Sequence, residues 1–246
     1  MAGILFIISA PSGSGKSTLV SELRKQVTGV DFSVSWTTRQ PRGSEENGRE
    51  YHFTTREEFE HMRDAGMFLE YAQVFENYYG TARQNLDEAR RLGHDLLLDI
   101  DVQGAAQVRK SMPEAVSIFV VPPTPKVLRT RLRNRMRAEG KVNEAELYLR
   151  LSEASKEIEN YREYGYILVN DILDRTVAQL EAIVLAERFY RNGQPIAYRS
   201  SRVLEVAAAC RIANSRERLK PVLEAFGIDG ANGQQQLPFG DDSDDD

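Results

Sequence analysis

One stretch near the N-terminus has the residue types and spacing of a phosphate-binding loop. Its residues are Ala10, Pro11, Ser12, Gly13, Ser14, Gly15, Lys16, Ser17 and Thr18. They match the pattern G-x-x-x-x-G-K-[ST], except that alanine stands at the first position. In such a loop the backbone N–H groups surround phosphate oxygens, the lysine adds positive charge and the serine can bind Mg²⁺. We therefore predict a site for a nucleoside triphosphate with Mg²⁺.

The flanking sequence supplies the elements that such a loop needs. The apolar residues 4–9 predict a buried parallel strand before the loop. After it, Leu19, Val20, Leu23 and Val27 recur at helical spacing. Strand, glycine-containing loop and helix form the first half of a βαβ unit, whereas a chance glycine turn would need neither flank.

Two arginines near position 40 could bind a second phosphate group. Arg39 and Arg42 bracket Pro41, and two guanidinium groups can hold one phosphate in a bidentate manner. Tyrosine hydroxyls in the same region could add further donors. The arginine pair could equally be a solvated basic loop, and these residues alone leave that alternative open.

A larger set of arginines lies further along the chain. Arg129, Arg131, Arg133, Arg135 and Arg137 alternate within a stretch that we predict to be helical over 125–162, with a break at Gly140. Phosphoryl transfer spreads negative charge over phosphate oxygens, and arginines stabilise that charge. The stretch is therefore a candidate to cover a phosphate site.

Other elements follow from periodicity and from chain breakers. Strands are predicted over 94–101, 117–121 and 166–170, and helices over 56–65, 82–92 and 174–191. Between residues 32 and 82, polar, aromatic and arginine residues mix with short alternating stretches. We interpret that region as a small inserted subdomain, and the whole pattern predicts an α/β fold with a parallel sheet.

Composition excludes several classes of protein. The chain has 246 residues, 41% hydrophobic and 28% charged, which is typical of a soluble globular protein. The 32 basic residues against 37 acidic ones argue against a nucleic-acid partner, and no apolar run approaches the roughly 20 residues of a membrane helix. A single cysteine, Cys210, fits a reducing compartment, so we expect a cytoplasmic protein.

Taken together, the motifs resemble the guanylate kinase family. The resemblance rests on the loop 9–18, the segment 33–51, the run Asn77-Tyr78-Tyr79-Gly80 and the run Leu98-Asp99-Ile100-Asp101-Val102-Gln103-Gly104. These motifs occur in order and cover roughly residues 3–191. The resemblance implies a P-loop nucleoside-monophosphate kinase fold, in which a parallel sheet core carries a GMP-binding insert over about 35–82 and a helical lid over about 125–160.

The resemblance also implies an activity and the residues that serve it. The activity is ATP-dependent phosphorylation of GMP to GDP, and of dGMP to dGDP, with Mg²⁺. The implied catalytic residues are Lys16, Arg39, Arg131, Arg135 and Arg150. The implied ATP-binding residues are the loop Ala10–Thr18 and Asn170. The implied GMP-binding residues are Ser35, Arg39, Arg42, Glu45, Tyr51, Glu70, Tyr79, Thr81 and Asp101, and the implied metal ligands are Ser17 and Asp99, directly or through water.

The chemistry of the base agrees with part of this assignment. Guanine presents N1–H and N2–H₂ donors beside an O6 acceptor on its pairing edge. The carboxylates of Glu70 and Asp101 together with a hydroxyl complement that edge, whereas adenine would present the wrong pattern. From position alone, Glu70 could instead be a surface charge, Asp101 a helix N-cap and Asn170 a turn residue after a strand.

Two other functions compete with the kinase interpretation. A guanylate kinase-like interaction module would bind protein ligands and lose residues of the phosphate loop, but Gly15, Lys16 and Ser17 are all present. A related kinase for a sugar phosphate would lack most of the insert between 35 and 82. Both alternatives are therefore less favoured than a GMP kinase.

The C-terminal part of the chain differs from the rest. We divide the chain into a guanylate kinase-like domain over 1–193, a helical extension over 194–228 and a disordered acidic tail over 229–246. Helices are predicted over 203–213 and 215–226, and we expect residues 194–246 to be dispensable for catalysis. The two helices could instead dock on the core through Leu204, Val206, Ile212, Leu219, Val222 and Leu223. The choice between a monomer and a homo-oligomer stays open.

Overall fold

A computed structural model describes residues 3–74, 76–138, 140, 142–192 and 200–228. The predicted disordered tail over 229–246 lies outside the described residues, as does the predicted domain boundary between residues 193 and 194. Among the described residues, no helix is both long and apolar enough to cross a membrane.

Helices and strands alternate along most of the chain. The strands are β1 (Leu5–Ser9), β2 (Val30–Phe32), β3 (Trp36–Thr37), β4 (His52–Phe53), β5 (Phe68–Val74), β6 (Asn77–Ala82), β7 (Asp95–Asp99), β8 (Val116–Val121) and β9 (Tyr166–Val169). The helices are α1 (Lys16–Gln26), α2 (Arg56–Asp64), α3 (Arg83–Leu92), α4 (Val102–Ser111), α5 (Pro125–Ala138), α6 (Glu144–Ile158), α7 (Leu173–Asn192), α8 (Ser200–Cys210) and α9 (Arg216–Ala225).

A five-stranded parallel sheet forms the centre of the molecule. Its strand order is β2-β7-β1-β8-β9. Strand β1 is buried along its whole length, because helices cover both faces of a parallel sheet. Its alternate residues belong to different cores: Ile7 packs in one and Phe6 and Ile8 in the other. The predicted α/β fold with a parallel sheet is confirmed.

A smaller sheet of four strands, in the order β4-β3-β6-β5, is formed by residues of the insert. Helix α2 packs on it through Phe59 and Met62, which form a separate small core with Phe68. Thr55 begins that helix, since its side chain accepts a hydrogen bond from the backbone N–H of Glu58. The insert therefore has its own apolar support beside the main sheet.

Several predicted elements differ from the observed ones. Strand β2 and helix α4 were not predicted, because the first is only three residues long and the second has few apolar residues. The predicted strand 94–101 ends at Asp99, so Asp101 follows the strand rather than ending it. The predicted helix 125–162 is two helices, and Gly140 lies between them with a φ of 69°.

The two C-terminal helices pack on the core. Helix α8 begins and ends earlier than the predicted 203–213, at Ser200 and Cys210. Cys210 is buried against one face of the sheet, while Leu219, Val222 and Phe226 are buried against the other. The backbone N–H of Ile212 donates to the carbonyl of Gly165, next to edge strand β9. The two helices therefore dock on the core, and the dispensability of residues 194–246 for catalysis stays a prediction.

Removing this extension is expected to destabilise the protein. A chain truncated after residue 193 loses Leu219, Val222 and Phe226, and each buried side chain of this size contributes roughly 1.5–3 kcal/mol. We expect its Tm to fall by more than about 5 °C in thermal unfolding. Truncation after residue 228 is the matched control, and equal Tm values for the two truncated chains would contradict the prediction.

Candidate active site

A cavity of ≈ 800 Å³ opens where β1, β7 and β9 end at their carboxyl edge. The phosphate loop, the insert and the helices α5 and α6 all contribute to its wall. In open parallel sheets ligands bind outside the carboxyl ends of the strands. A second cavity of ≈ 480 Å³ shares six lining residues with the first: Ser17, Ser35, Tyr51, Tyr79, Asp99 and Arg135. The two cavities are therefore neighbouring parts of one site.

The phosphate loop is held in shape by two side chains from other elements. Asn170, after β9, donates from Nδ2 to the Ser14 carbonyl at 2.8 Å. Arg131 of α5 donates to the same carbonyl at 3.2 Å and to the Asn170 carbonyl at 2.9 Å. Gly15 has a φ of 90°, and a Cβ there would lie 2.4 Å from Nδ2 of Asn170. Only glycine therefore fits this position beside the amide.

These contacts refine two predicted roles. Asn170 and Arg131 both line the larger cavity. In this structure, however, the Asn170 amide and the Arg131 guanidinium group donate hydrogen bonds to the phosphate loop itself. Burial lowers the pKa of the Arg131 guanidinium, although this group remains a cation. Contacts with adenine or with a transferred phosphoryl group stay predictions for these residues.

Lys16 begins helix α1 and is already paired. Its Nζ lies 2.7 Å from Asp99 Oδ1 and donates to the Ile100 carbonyl at 2.6 Å. Burial lowers the lysine pKa, but the adjacent Asp99 carboxylate outweighs it and the net pKa is raised. The ammonium group is therefore charged and fixed between the loop and the end of β7.

The predicted metal ligands lie together. Ser17 and Asp99 line both cavities, and hydroxyl and carboxylate oxygens are ligands that Mg²⁺ accepts. No group of three His, Cys, Asp or Glu side chains within the described ranges could hold a metal ion. One hydroxyl and one carboxylate fit a Mg²⁺ ion that substrate phosphates help to bind.

The arginines at the start of the insert meet an internal carboxylate. Arg39 donates from Nη2 to both carboxylate oxygens of Glu45, at 3.1 and 2.9 Å. The backbone N–H of Arg42 donates to the same carboxylate at 2.8 Å. Arg39 also lies over the ring of Tyr51, 5.4 Å from its centroid. Arg39, Arg42, Tyr51 and Tyr79 all line the smaller cavity, and so does the Glu45 carboxylate that pairs with Arg39.

The predicted base-reading residues come together from two parts of the chain. Glu70 of β5 is only 4% exposed and accepts a hydrogen bond from Thr81 Oγ1 at 2.6 Å. Asp101 accepts from the backbone N–H of Gly104 at 2.7 Å and so begins α4 as its N-cap. Both carboxyl groups line the larger cavity, as does Ser35. Thr81 is fully buried behind Glu70 and does not line the cavity itself.

Arg135 and Arg150 have different positions. Arg135 of α5 lines both cavities. Arg150 of α6 lines neither, and it donates instead to Glu146 one turn earlier on its helix, at 2.6 Å from Nη2. Of the three predicted lid arginines, the structure brings Arg131 and Arg135 to the site and leaves Arg150 outside it. A contact between Arg150 and substrate stays a prediction.

Glu157 is a cavity residue that the sequence analysis missed. It lies near the end of α6, lines the larger cavity and faces the backbone N–H of Ser12. Burial, and then the nearby charge of Asp101, raise the pKa of its carboxyl to about 7. Its sequence neighbourhood is an acidic stretch of an ordinary amphipathic helix, so no sequence signal distinguished it.

Glu70 also carries a raised pKa, and this has a measurable consequence for stability. Burial, opposed in part by the Thr81 hydroxyl, raises the pKa of the Glu70 carboxyl from 4.5 to about 7. The folded state thus binds this proton more tightly than the unfolded state does. The stabilisation that the protonated Glu70 carboxyl group gives the folded state is complete below about pH 4.5 and is lost as the pH rises through about 7.

Glu70→Gln should therefore become more stable relative to wild type as the pH rises. Glutamine does not ionise, so the variant avoids the cost of a buried carboxylate at high pH. The free energy of unfolding of the variant minus that of wild type should therefore rise by up to about 3 kcal/mol between pH 5 and pH 8. Chemical unfolding at the two pH values measures this difference. Glu88→Gln, at an exposed position of α3, is the control. A difference that does not change with pH would contradict the prediction.

Comparisons with known proteins agree with this geometry. The family model described as guanylate kinase matches residues 3–187. A guanylate kinase of Koribacter versatilis is 52% identical over 226 residues, covering 92% of this chain and 97% of that protein. One from Shewanella violacea is 46% identical over 193 residues, covering 78% and 91%. The crystal structure of guanylate kinase from Anaplasma phagocytophilum aligns with a TM-score of 0.64 at 30% identity, covering 89% and 94%.

Proposed function

The chain belongs to the guanylate kinase family, so it phosphorylates GMP to GDP with ATP, and we propose which of its residues carry each part of that reaction. The observation that carries the proposal is the shared site. A loop built for phosphates lines one cavity together with two carboxyl groups suited to guanine, those of the buried Glu70 and the half-buried Asp101. Donor and acceptor can therefore meet without a covalent enzyme intermediate.

The phosphate loop binds the ATP phosphates. Its backbone N–H groups surround the phosphate oxygens, and Lys16 adds a charge to them. Lys16 exchanges its contact with Asp99 for one with phosphate, and Asp99 is 30% exposed and so can be solvated when the lysine leaves. Arg131 and Asn170 keep the loop in its binding conformation through the Ser14 carbonyl.

The arginines of the insert bind the GMP phosphate. Arg39 and Arg42 supply guanidinium groups, and Tyr51 and Tyr79 add hydroxyl donors at the smaller cavity. Glu45 pairs with Arg39 while GMP is absent. This pair keeps Arg39 oriented before the nucleotide binds. The incoming GMP phosphate then replaces part of the contact between Arg39 and Glu45.

The carboxyl groups of Glu70 and Asp101 read the guanine base. In their ionised form both carboxyl groups accept hydrogen bonds from guanine N1–H and N2–H₂, so guanine binding favours the ionised form of Glu70, whose pKa without substrate is about 7. Ser35 adds a hydroxyl. The Thr81 hydroxyl orients Glu70 from behind. Glu70, Asp101 and Ser35 are assigned to the base and the arginines of the insert to the phosphate, and none of these roles needs the 2′-hydroxyl group. We therefore propose that dGMP is also a substrate.

Transfer proceeds by positioning and by charge. Ser17 and Asp99 would hold Mg²⁺, which when bound neutralises charge on the phosphates of ATP. Arg135 faces both cavities and so stabilises the phosphoryl group between donor and acceptor. Tight placement of the two substrates in line supplies much of the remaining rate enhancement.

An assay with four acceptors tests the assignment. ATP consumption is measured with GMP, dGMP, AMP and a sugar phosphate at equal concentrations. We expect GMP and dGMP to be used well and AMP and the sugar phosphate poorly, because only guanine offers donors to both carboxylates. Equal use of AMP would contradict the base-reading assignment, and preference for the sugar phosphate would contradict the role of the insert.

Domain limits and location follow from the same reasoning. We propose a kinase domain over 1–193 with the GMP-binding insert at about 35–82 and the lid at about 125–160, followed by the extension over 194–228. We also propose a cytoplasmic location, where its nucleotide substrates are found and where a lone cysteine such as the buried Cys210 stays reduced. No nucleic-acid or membrane partner is proposed.

A further inference from the structure

Gly104 lies against both of the carboxyl groups that face the base. It is the third residue of α4, and its backbone N–H donates to Asp101 Oδ1 at 2.7 Å. A Cβ at this position would lie 2.3 Å from Oε2 and 2.9 Å from Cδ of Glu70, and 3.4 Å from Oδ1 of Asp101. Real Cβ atoms do not approach other heavy atoms as closely as 2.3 Å, so any side chain at 104 would displace Glu70.

The backbone gives no reason for glycine at this position. Gly104 is helical and is not among the glycines with positive φ. Alanine is favoured over glycine within a helix. The reason for glycine visible in the structure is thus the space that the Glu70 carboxyl group occupies.

Neither neighbour can retreat easily. Glu70 is held from behind by Thr81 Oγ1 at 2.6 Å. Helix α4 is tied to strand β5 by Gln107, whose Nε2 donates to the Tyr71 carbonyl at 2.6 Å and whose Oε1 accepts from the Tyr71 N–H at 3.3 Å. Tyr71 follows Glu70 directly, so these bonds fix the distance between Glu70 and the start of α4.

We propose that Gly104 is a specificity-determining positioning residue, which lets Glu70 and Asp101 approach each other closely enough to read one guanine edge. The inference rests on the proposed base-reading role of those two carboxyl groups. Gly104 has no side chain to contact the base, and its backbone N–H already donates to Asp101. Its effect is exerted through the spacing of the two acceptors.

The first test is Gly104→Ala. We expect KM for GMP to rise at least about tenfold and the ratio of kcat/KM for GMP over AMP to fall, while KM for ATP changes less than about twofold. Gly165→Ala is the matched control, because a Cβ there would lie 3.6 Å from the nearest atom, an ordinary contact. An unchanged KM for GMP in Gly104→Ala would overturn the proposal.

The second test is rescue by a shorter carboxylate. Glu70→Asp withdraws the carboxyl group by one methylene and so vacates the space that a Cβ at 104 needs. Glu70→Asp alone should lower kcat/KM for GMP. Adding Gly104→Ala to this variant should then lower kcat/KM by less than about twofold further, because the Cβ at 104 no longer meets the carboxyl group of residue 70. Equal costs of Gly104→Ala in the wild-type and Glu70→Asp backgrounds would overturn the proposal.

Folding and the base-reading premise are checked separately. If Gly104→Ala alone does not fold, the proposal requires the double variant to fold and to phosphorylate GMP, and failure of both chains to fold overturns it. Glu70→Gln tests the premise without touching residue 104. If Glu70→Gln changes the GMP to AMP ratio and Gly104→Ala does not, the positioning role is wrong and the base-reading role stands; if neither changes it, both are wrong.

Discussion

Replacing Lys16 by methionine is expected to lower kcat for GMP phosphorylation by roughly 10²–10³-fold, the usual cost of losing one charge contact with a transition state. Methionine keeps the length of the side chain and removes only the ammonium group. The fold should survive, because the abandoned carboxylate of Asp99 is 30% exposed and can be solvated. Steady-state kinetics with saturating ATP and GMP measure the loss, and thermal unfolding checks the fold.

Lys25→Met is the matched control for this experiment. Lys25 lies on the same helix, α1, is largely exposed and pairs only with Glu22 three residues earlier among the contacts described. It lines neither cavity. Turnover of Lys16→Met within a few-fold of that of Lys25→Met would show that Lys16 does not act on the phosphates.

A second large effect is expected on the choice of base. Glu70→Gln should lower kcat/KM for GMP and narrow the discrimination against AMP. A glutamine amide can donate toward the adenine N1 acceptor at any pH, whereas the ionised Glu70 carboxylate, which predominates above its pKa of about 7, presents only lone pairs. A buried polar group without a partner costs about 1–3 kcal/mol, and a buried charge without a partner costs more. The ratio of kcat/KM for GMP over AMP should therefore change by at least about tenfold.

Asp101→Asn tests the other carboxyl group without disturbing the helix that it begins. Asparagine is as good an N-cap as aspartate, so the bond from the Gly104 N–H is retained. The GMP to AMP ratio should fall in this variant too. If the ratio is unchanged in both Glu70→Gln and Asp101→Asn, the two residues do not read the base.

Arg39→Ala should behave differently, because phosphate contacts carry no information about the base. We expect KM to rise in similar proportion for GMP and AMP, so that their ratio is preserved. Arg56→Ala is the control, since Arg56 also lies in the insert but is exposed and pairs with Glu60. A change of ratio in Arg39→Ala as large as in the carboxylate variants would contradict this division of roles.

Local sequence patterns were sufficient for the phosphate half of the site. The loop, its preceding strand and its following helix are contiguous in the chain, so their chemistry and their relative positions follow from short-range spacing. The strongly apolar strands β1 and β8 were predicted for the same reason, since strands buried on both faces are continuous apolar runs. Short or weakly apolar elements such as β2 and α4 have no comparable local signal.

The resemblance between motifs supplied the identities of the base-reading residues, but not how they are held. Glu70 and Asp101 are separated along the chain by β6, α3 and β7, and the packing of β5 on α4 brings them together. The tie from Gln107 to Tyr71 and the missing Cβ of Gly104 set their distance. Contacts of this kind depend on the relative placement of two elements, which no local pattern encodes.

The sequence by itself thus determined the fold class, the phosphate loop and the family, because each is expressed in ordered short motifs. Only the tertiary structure decided that Asn170 and Arg131 hold the loop, that Glu45 pairs with Arg39, that Arg150 lies outside the cavity and that α8 and α9 complete the core. Hydrogen bonds and burial act through space over a few ångströms. Residues far apart in the chain acquire these partners only when the sheet and its helices assemble.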